Sequence, residues 1–200
     1  MNFTTEQKLL RESVRKLMDT HAHREYVREK DKAKAFPYEL YDKWVEAGLL
    51  GVAFPETYGG SGGGAIELAI CAMEIAYTSA DFQMAYAGNL FCGLNLIAKG
   101  SEEQRAYWLP KIVSGERRFS ISMSEPEAGS DVGALRTKAV PQDDGSYRIT
   151  GTKIFISFGE HDMAENIIHL VLAKTPDSPP GTKGISCMAM VVIQGNWPPP

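Results

Sequence analysis

Hydroxyl groups and permissive backbone crowd into one stretch of the chain, Ser120-Ile121-Ser122-Met123-Ser124-Glu125-Pro126-Glu127-Ala128-Gly129-Ser130-Asp131-Val132. It reads as a strand running into a tight loop of small residues. Amides and serine hydroxyls exposed in such a loop can cradle an anion or the heteroatoms of a planar ring. The same residues also suit a self-satisfied β-turn, and residue types alone leave both readings open.

Other clusters point to less. Gly60-Ser61-Gly62-Gly63-Gly64-Ala65 formally satisfies the dinucleotide fingerprint, but Pro55-Glu56 interrupts any strand before it, so a flexible surface loop is the preferred reading. Gly-Thr-Lys occurs at Gly151 and at Gly181 without the upstream glycine of a phosphate-binding P-loop. Glu160-His161-Asp162 offers oxygen and nitrogen donors, yet three adjacent residues cannot converge on one metal ion, and no metal site is expected. His21 and His23 lie in a polar stretch and need no function, and Cys92 reads as a small core residue.

The elements that must position the serine-rich loop change character along the chain. Up to residue 118 the pattern is helical. Thr4-Thr5-Glu6-Gln7 is a capping box, followed by a stripe of Leu9, Leu10, Val14, Leu17 and Met18. Residues 21–34 mix acids and bases as a solvated helix face or loop. Pro37 opens a helix lined by Leu40, Trp44, Val45 and Ala47, which Gly48 stops. Residues 65–79 and 81–98 are apolar on more than one face, which predicts central helices. Ser101-Glu102-Glu103-Gln104 caps one more helix, ended by Gly115. From residue 119 onward, strands are expected at 119–124, 136–140, 147–156, 167–173 and 185–193. Helices followed by strands predict an α+β chain of two regions: an all-α domain over 1–118, then a β domain over 119–200. The closing run Pro198-Pro199-Pro200 cannot donate to a sheet, so the β domain is expected to be incomplete and the chain to stop short of a natural domain boundary.

Composition closes off several classes of function. With 200 residues, 44% hydrophobic and 23% charged, the chain has the make-up of a folded domain. A net charge of −4 with its basic residues interleaved with acids argues against nucleic-acid binding. No apolar run is long enough to span a membrane, and the polar opening Met1-Asn2-Phe3-Thr4-Thr5-Glu6 does not read as a signal peptide. Three scattered cysteines suit a reducing cytoplasm.

Four ordered motifs then carry a resemblance. Met123-Ser124-Glu125-Pro126-Glu127-Ala128-Gly129-Ser130-Asp131 closely resembles the flavin-binding signature of acyl-CoA dehydrogenases. Pro55-Glu56-Thr57-Tyr58-Gly59-Gly60 resembles the connection after that family's early helices, and Ser101 to Glu116 resembles the helix before the signature. Gly151-Thr152-Lys153-Ile154-Phe155-Ile156-Ser157 resembles its second flavin-contact strand. The family has a helical N-terminal domain, a middle β-barrel and a C-terminal four-helix bundle, and this chain resembles the first and most of the second. Gly159-Glu160-His161-Asp162, with residues 179–186, resembles a branch acting on methylthiopropanoyl-CoA, whereas the N-terminal helices look like short-to-medium-chain members.

The resemblance implies FAD as cofactor and an acyl-CoA as substrate, desaturated between its α and β carbons to a trans-2-enoyl-CoA. It implies that Met123 and Ser124 meet the isoalloxazine edge through backbone amides and the Ser124 hydroxyl. Ile121, Gly129, Ser130, Phe155, Ile156 and Ser157 complete the cofactor contacts, and Ser130 also lines the channel for the CoA side of the substrate. Phe155 stands where the family often has tryptophan, Ser157 replaces a common threonine, and Glu127 replaces a more usual glycine and must point to solvent or perturb the loop. The catalytic base is implied to be a carboxylate of the C-terminal bundle, so no residue here is assigned to it and this chain alone is expected to be inactive. Implied partners are an acceptor of the electron-transfer-flavoprotein type and, in the full-length family, further copies of the chain. The competing readings are a truncated remnant or helical interaction module that binds no flavin, and a related flavin oxidase.

Overall fold

Thr4 opens the first helix by reciprocal capping. Its hydroxyl accepts from the Gln7 amide at 3.2 Å while the Gln7 side chain accepts from the Thr4 amide at 3.0 Å. In the computed structural model, which describes residues 2–116, 118–161 and 167–192, the chain divides into two compact units, Met1–Arg117 and Arg118–Pro200. The first contains helices α1 (Thr5–His21), α2 (Arg24–Ala33), α3 (Tyr38–Glu46), α4 (Ala65–Thr78), α5 (Ala80–Lys99) and α6 (Glu102–Val113).

His23 proves to be an N-cap, its Nδ1 accepting from the Tyr26 amide, and α2 buries none of its side chains. The core of this unit is aromatic at its centre. Trp44 is fully buried, with its ring set edge-on to Tyr41 and Tyr86 at 6.1 and 5.8 Å, and the Tyr86 hydroxyl donates to the Leu49 carbonyl at 3.0 Å. Where α1 meets α4, Glu74 is buried and takes both Arg11 (2.8 Å) and Arg15 (2.5 Å), so its charge is paired.

Two expectations for this unit need correcting. Val14 and Met18 are buried, but Leu9 of the same stripe is 57% exposed, because at about 100° per residue Leu10, Val14 and Met18 share one face of the helix and Leu9 falls to its side. Helices α4 and α5 do not lie wholly inside the unit: Met73, Tyr77 and Phe91 are exposed. Their all-round apolarity records sequence composition: neighbouring helices, α1 and α5 against α4 and α4 and α6 against α5, cover part of each surface and leave these residues outside.

The glycine cluster is also not a flexible loop. The amides of Gly60, Ser61, Gly62 and Gly63 donate to the carbonyls of Pro55, Gly51, Phe54 and Val52 at 2.8–3.1 Å, and the Gly64 amide donates to Glu67. With those donors engaged, none is left to bind phosphate. A side chain at Gly60 would place its Cβ 2.1 Å from the Phe54 carbonyl oxygen, so the close approach of the two backbone segments requires glycine there.

The second unit is a five-stranded open half-barrel sheet: β1 (Arg118–Ser122), β2 (Lys138–Pro141), β3 (Tyr147–Thr150), β4 (Ile167–Lys174) and β5 (Ile185–Val192). Strand β4 is its spine, and Ile167, Ile168, Leu170, Val171 and Ala173 are all buried, as a β-branched strand covered on both faces must be. It pairs with β5 antiparallel along its whole length and with β1 parallel from Ile167 to Val171. Because β5 holds one edge throughout, β2 takes the other edge beyond the end of β1, at Lys138 opposite Lys174. The β2–β3 hairpin turns at Asp144-Gly145, with Gly145 in the left-handed region and Asp144 accepting from the Ser146 amide.

The strands expected at 119–124 and 147–156 end early, at Ser122 and Thr150. Beyond Ser122 the chain bends into the Glu125 turn. Beyond Thr150, Gly151 passes so close to Thr137 that a Cβ would lie 2.2 Å from its hydroxyl, and the chain leaves β2 for the edge of the site. The expected strand end at Ile193 and the proline run lie outside the described residues, as do Asp162 and the tail after Val192. Among the described residues no helix is long and apolar enough to cross a membrane.

Candidate functional site

A buried carboxylate organises the serine-rich loop. Glu125 and Ala128 exchange two backbone hydrogen bonds at 3.1 Å, closing a turn over Pro126 and Glu127. The Glu125 side chain, only 6% exposed, turns inward. It accepts from the Arg136 amide (2.6 Å), the Thr137 amide (3.0 Å), the Thr137 hydroxyl (2.5 Å) and the Lys153 ammonium (2.9 Å). Burial pushes its carboxyl pKa up, but the Thr137 hydroxyl, the two amides and Lys153 outweigh that and hold it at about 2. A carboxylate so acidic and so fully engaged is no proton acceptor. Glu127, by contrast, points to solvent, the first of the two outcomes open to it, and pairs there with the exposed Arg136 at 2.5 Å.

The second segment runs back along β1 and its continuation. The Ile154 amide donates to the Ser124 carbonyl at 3.0 Å, and the Ser120 hydroxyl donates to the Ser157 carbonyl at 3.0 Å. Met123 and Ser124 are thereby brought beside Phe155, Ile156 and Ser157. Phe155 is 92% exposed and sits at φ +56°, in the left-handed region. That conformation costs a bulky residue about 1–2 kcal/mol, and the ring gains no burial in return. Strain of this kind marks a place where the chain is shaped for something other than its own stability. Met123 is 47% exposed nearby. Ile121 is half-buried in β1, while Gly129 and Ser130 lie exposed past the Glu125 turn, with open space around the Gly129 Cα. An exposed aromatic face next to serine hydroxyls and loop amides is a donor set that fits a planar, heteroatom-edged ring such as a flavin.

Behind this rim lies a cavity of about 550 Å³ whose lining includes Ser122, Lys153, Ile156, Glu160, His169 and Val171. The Ser122 hydroxyl and His169 Nδ1 are 3.2 Å apart and buried, and burial lowers the His169 pKa, favouring the neutral ring. Residue types alone missed Thr137, Lys153 and His169. The signal that could have found Lys153 is Glu125 itself, since an acid placed inside a turn between apolar strands needs a cation to meet it.

Residues 4–116 match the family model of the acyl-CoA dehydrogenase N-terminal domain, and residues 120–195 match that of the acyl-CoA dehydrogenase middle domain. The chain belongs to the acyl-CoA dehydrogenase family. Among its relatives, 3-methylmercaptopropionyl-CoA dehydrogenase of Ruegeria pomeroyi is 45% identical over 73% of this chain and 25% of its own length. A subunit of the caffeyl-CoA reductase–Etf complex of Acetobacterium woodii is 32% identical over 93% of this chain and 48% of its own. The solved butyryl-CoA dehydrogenase of Megasphaera elsdenii superposes with a TM-score of 0.82 at 28% identity, covering 98% of this chain and 50% of that one. The chain thus spans about half the length, or less, of these acyl-CoA dehydrogenase relatives. Its two units correspond in kind to the family's helical N-terminal domain and middle sheet domain.

Proposed function

We propose that this chain supplies the flavin-receiving wall of an FAD-dependent acyl-CoA dehydrogenase. The observation that carries the reading is Phe155: an aromatic ring held out to solvent on a strained backbone, hydrogen-bonded through its neighbour to the Met123–Ser124 segment. Phe155 would pack on one face of the isoalloxazine, and Ser124 and Ser157 would hydrogen-bond its edge. Met123, Ile121, Ile156 and Gly129 would shape the surround. Donors placed there stabilise negative charge on the reduced ring. Ser130 would line the approach of the CoA side of the substrate.

Bound FAD supplies a two-electron acceptor for hydride lost from the β-carbon of the thioester, as the α-proton passes to a carboxylate. Glu125 is not that carboxylate, being held at about 2 by its four hydrogen bonds. The family resemblance assigns the proton to the C-terminal helical bundle, so turnover by these 200 residues alone is expected to be absent. The similarity to 3-methylmercaptopropionyl-CoA dehydrogenase and to a subunit of an Etf complex supports a short acyl-CoA as substrate and an electron-transfer flavoprotein as acceptor.

The test is a titration of the purified chain with FAD, read by the visible absorption band and by flavin fluorescence. Near-stoichiometric uptake with a perturbed band is expected. A folded chain that stays colourless after reconstitution rejects the reading in favour of a remnant without flavin.

A further inference from the structure

Lys153 is 11% exposed at its side chain, and all three of its N–H donors have a match. They reach the Met123 carbonyl at 3.0 Å, Glu125 Oε1 at 2.9 Å and the Leu172 carbonyl at 2.7 Å. One ammonium therefore ties the end of the β1 loop, the Glu125 turn and the spine strand β4 together. Its own backbone neighbour, the Ile154 amide, grips the same loop at the Ser124 carbonyl, and Phe155 follows directly.

The consequence lies in the peptide plane between Met123 and Ser124. In a trans peptide the C=O and N–H point in opposite directions. Drawing the Met123 carbonyl inward onto a buried ammonium turns the Ser124 N–H away from the interior. We infer that Lys153 is a positioning residue, which aims the Ser124 amide outward and fixes the spacing between the Met123–Ser124 loop and the strained Phe155 segment. This rests on the flavin reading for what the amide meets, though not for the coupling of the two segments. Lysine suits the task because three oxygens from three directions call for a compact cation with three donors, whereas the flat fork of arginine addresses one plane.

The experiment compares the chain with Lys153→Met, Lys153→Arg and the double variant Lys153→Met/Glu125→Gln. Each is titrated with FAD, melted without it, and followed by hydrogen exchange without it. Lys153→Met is expected to weaken FAD binding by about tenfold or more, the equivalent of one charge-assisted hydrogen bond. It should also speed exchange across 123–130 and 154–158 while the β4–β5 ladder stays protected. Lys153→Arg should lie between the two. The double variant leaves no uncompensated carboxylate, so it is expected to recover melting temperature but not FAD affinity. Recovery of both would make Lys153 a charge partner only and overturn the inference, as would wild-type affinity in Lys153→Met. If the unaltered chain takes up no FAD, it is the flavin reading that fails. Exchange then decides the coupling alone, and unchanged exchange at 123–130 in Lys153→Met refutes it.

Discussion

One aromatic ring from each unit shows two opposite treatments. In the helical unit Trp44 is 0% exposed and sits in a relay of edge-on rings, while in the sheet unit Phe155 is 92% exposed on a left-handed backbone. Their buried acids differ as well. Glu74 is reached by two arginines from a single neighbouring helix, whereas Glu125 collects donors from two separated stretches of chain, at 136–137 and at 153. The first arrangement seals a helix contact. The second shapes a loop, and ties it to the segment that carries Phe155. Stability is concentrated where side chains are hidden, and the candidate site stands where a polar staple replaces a core.

The sharpest way to break the contrast is to remove Trp44. Trp44→Ala is expected to cost about 4 kcal/mol, because the cavity it leaves adds to the lost burial. Guanidinium denaturation followed by the helical circular-dichroism signal would read this as a large fall in midpoint. A fall of under about 1 kcal/mol would mean that the aromatic relay is not the keystone its burial implies.

The sheet unit answers to pH instead. The Glu125 carboxyl is held at about 2, against an ordinary value of 4.5. A folded-state pKa below the unfolded one contributes stability that is complete above the unfolded value and lost as pH falls through the folded one. Melting of the sheet unit should therefore weaken as pH drops from about 5 towards 2, by at most about 3 kcal/mol. Glu125→Gln should be less stable than wild type at neutral pH and should flatten this acid limb. An acid limb equally steep in Glu125→Gln would assign it to other carboxylates.

The difference between the units is also the difference in what the sequence makes legible. Helix starts are local statements: Thr4-x-x-Gln7 and Ser101-x-x-Gln104 each form the reciprocal cap their spacing announces. The serine-rich loop was visible as a ligand loop by residue type, and its likeness to a flavin signature rested on contiguous residues. What could not be read is the part made by distant partners. Glu125 calls for a cation without saying which, and Thr137 and Lys153 reach it only through the pairing of β2 with β4 and with β3. The ends of β1 and β3 differ from expectation for the same reason: the 119–124 and 147–156 stretches have strand composition throughout, but the staple pulls their last residues out of the ladder. The glycine cluster misled in a third way, because glycines chosen for close packing against Phe54 have the same composition as glycines chosen for flexibility.

A smaller effect, opposite in sign, would sharpen the comparison most. Phe155 buries almost nothing, so truncating it removes no packing, and relieving φ +56° should return part of its strain. Phe155→Gly is therefore expected to leave the melting of the sheet unit unchanged or to raise it by about 0.5–1 kcal/mol, after the entropy that glycine adds to the unfolded chain. Phe155→Ala removes the same ring while keeping a Cβ in the left-handed region, so it should gain nothing in stability. Both should lose FAD affinity alike, because both lose the stacking face. Stability that moves with the backbone while affinity moves with the ring would separate the two costs at a single position. If instead Phe155→Gly melts well below wild type, the exposed ring is a structural element after all, and the strain beneath it serves the sheet and not a ligand.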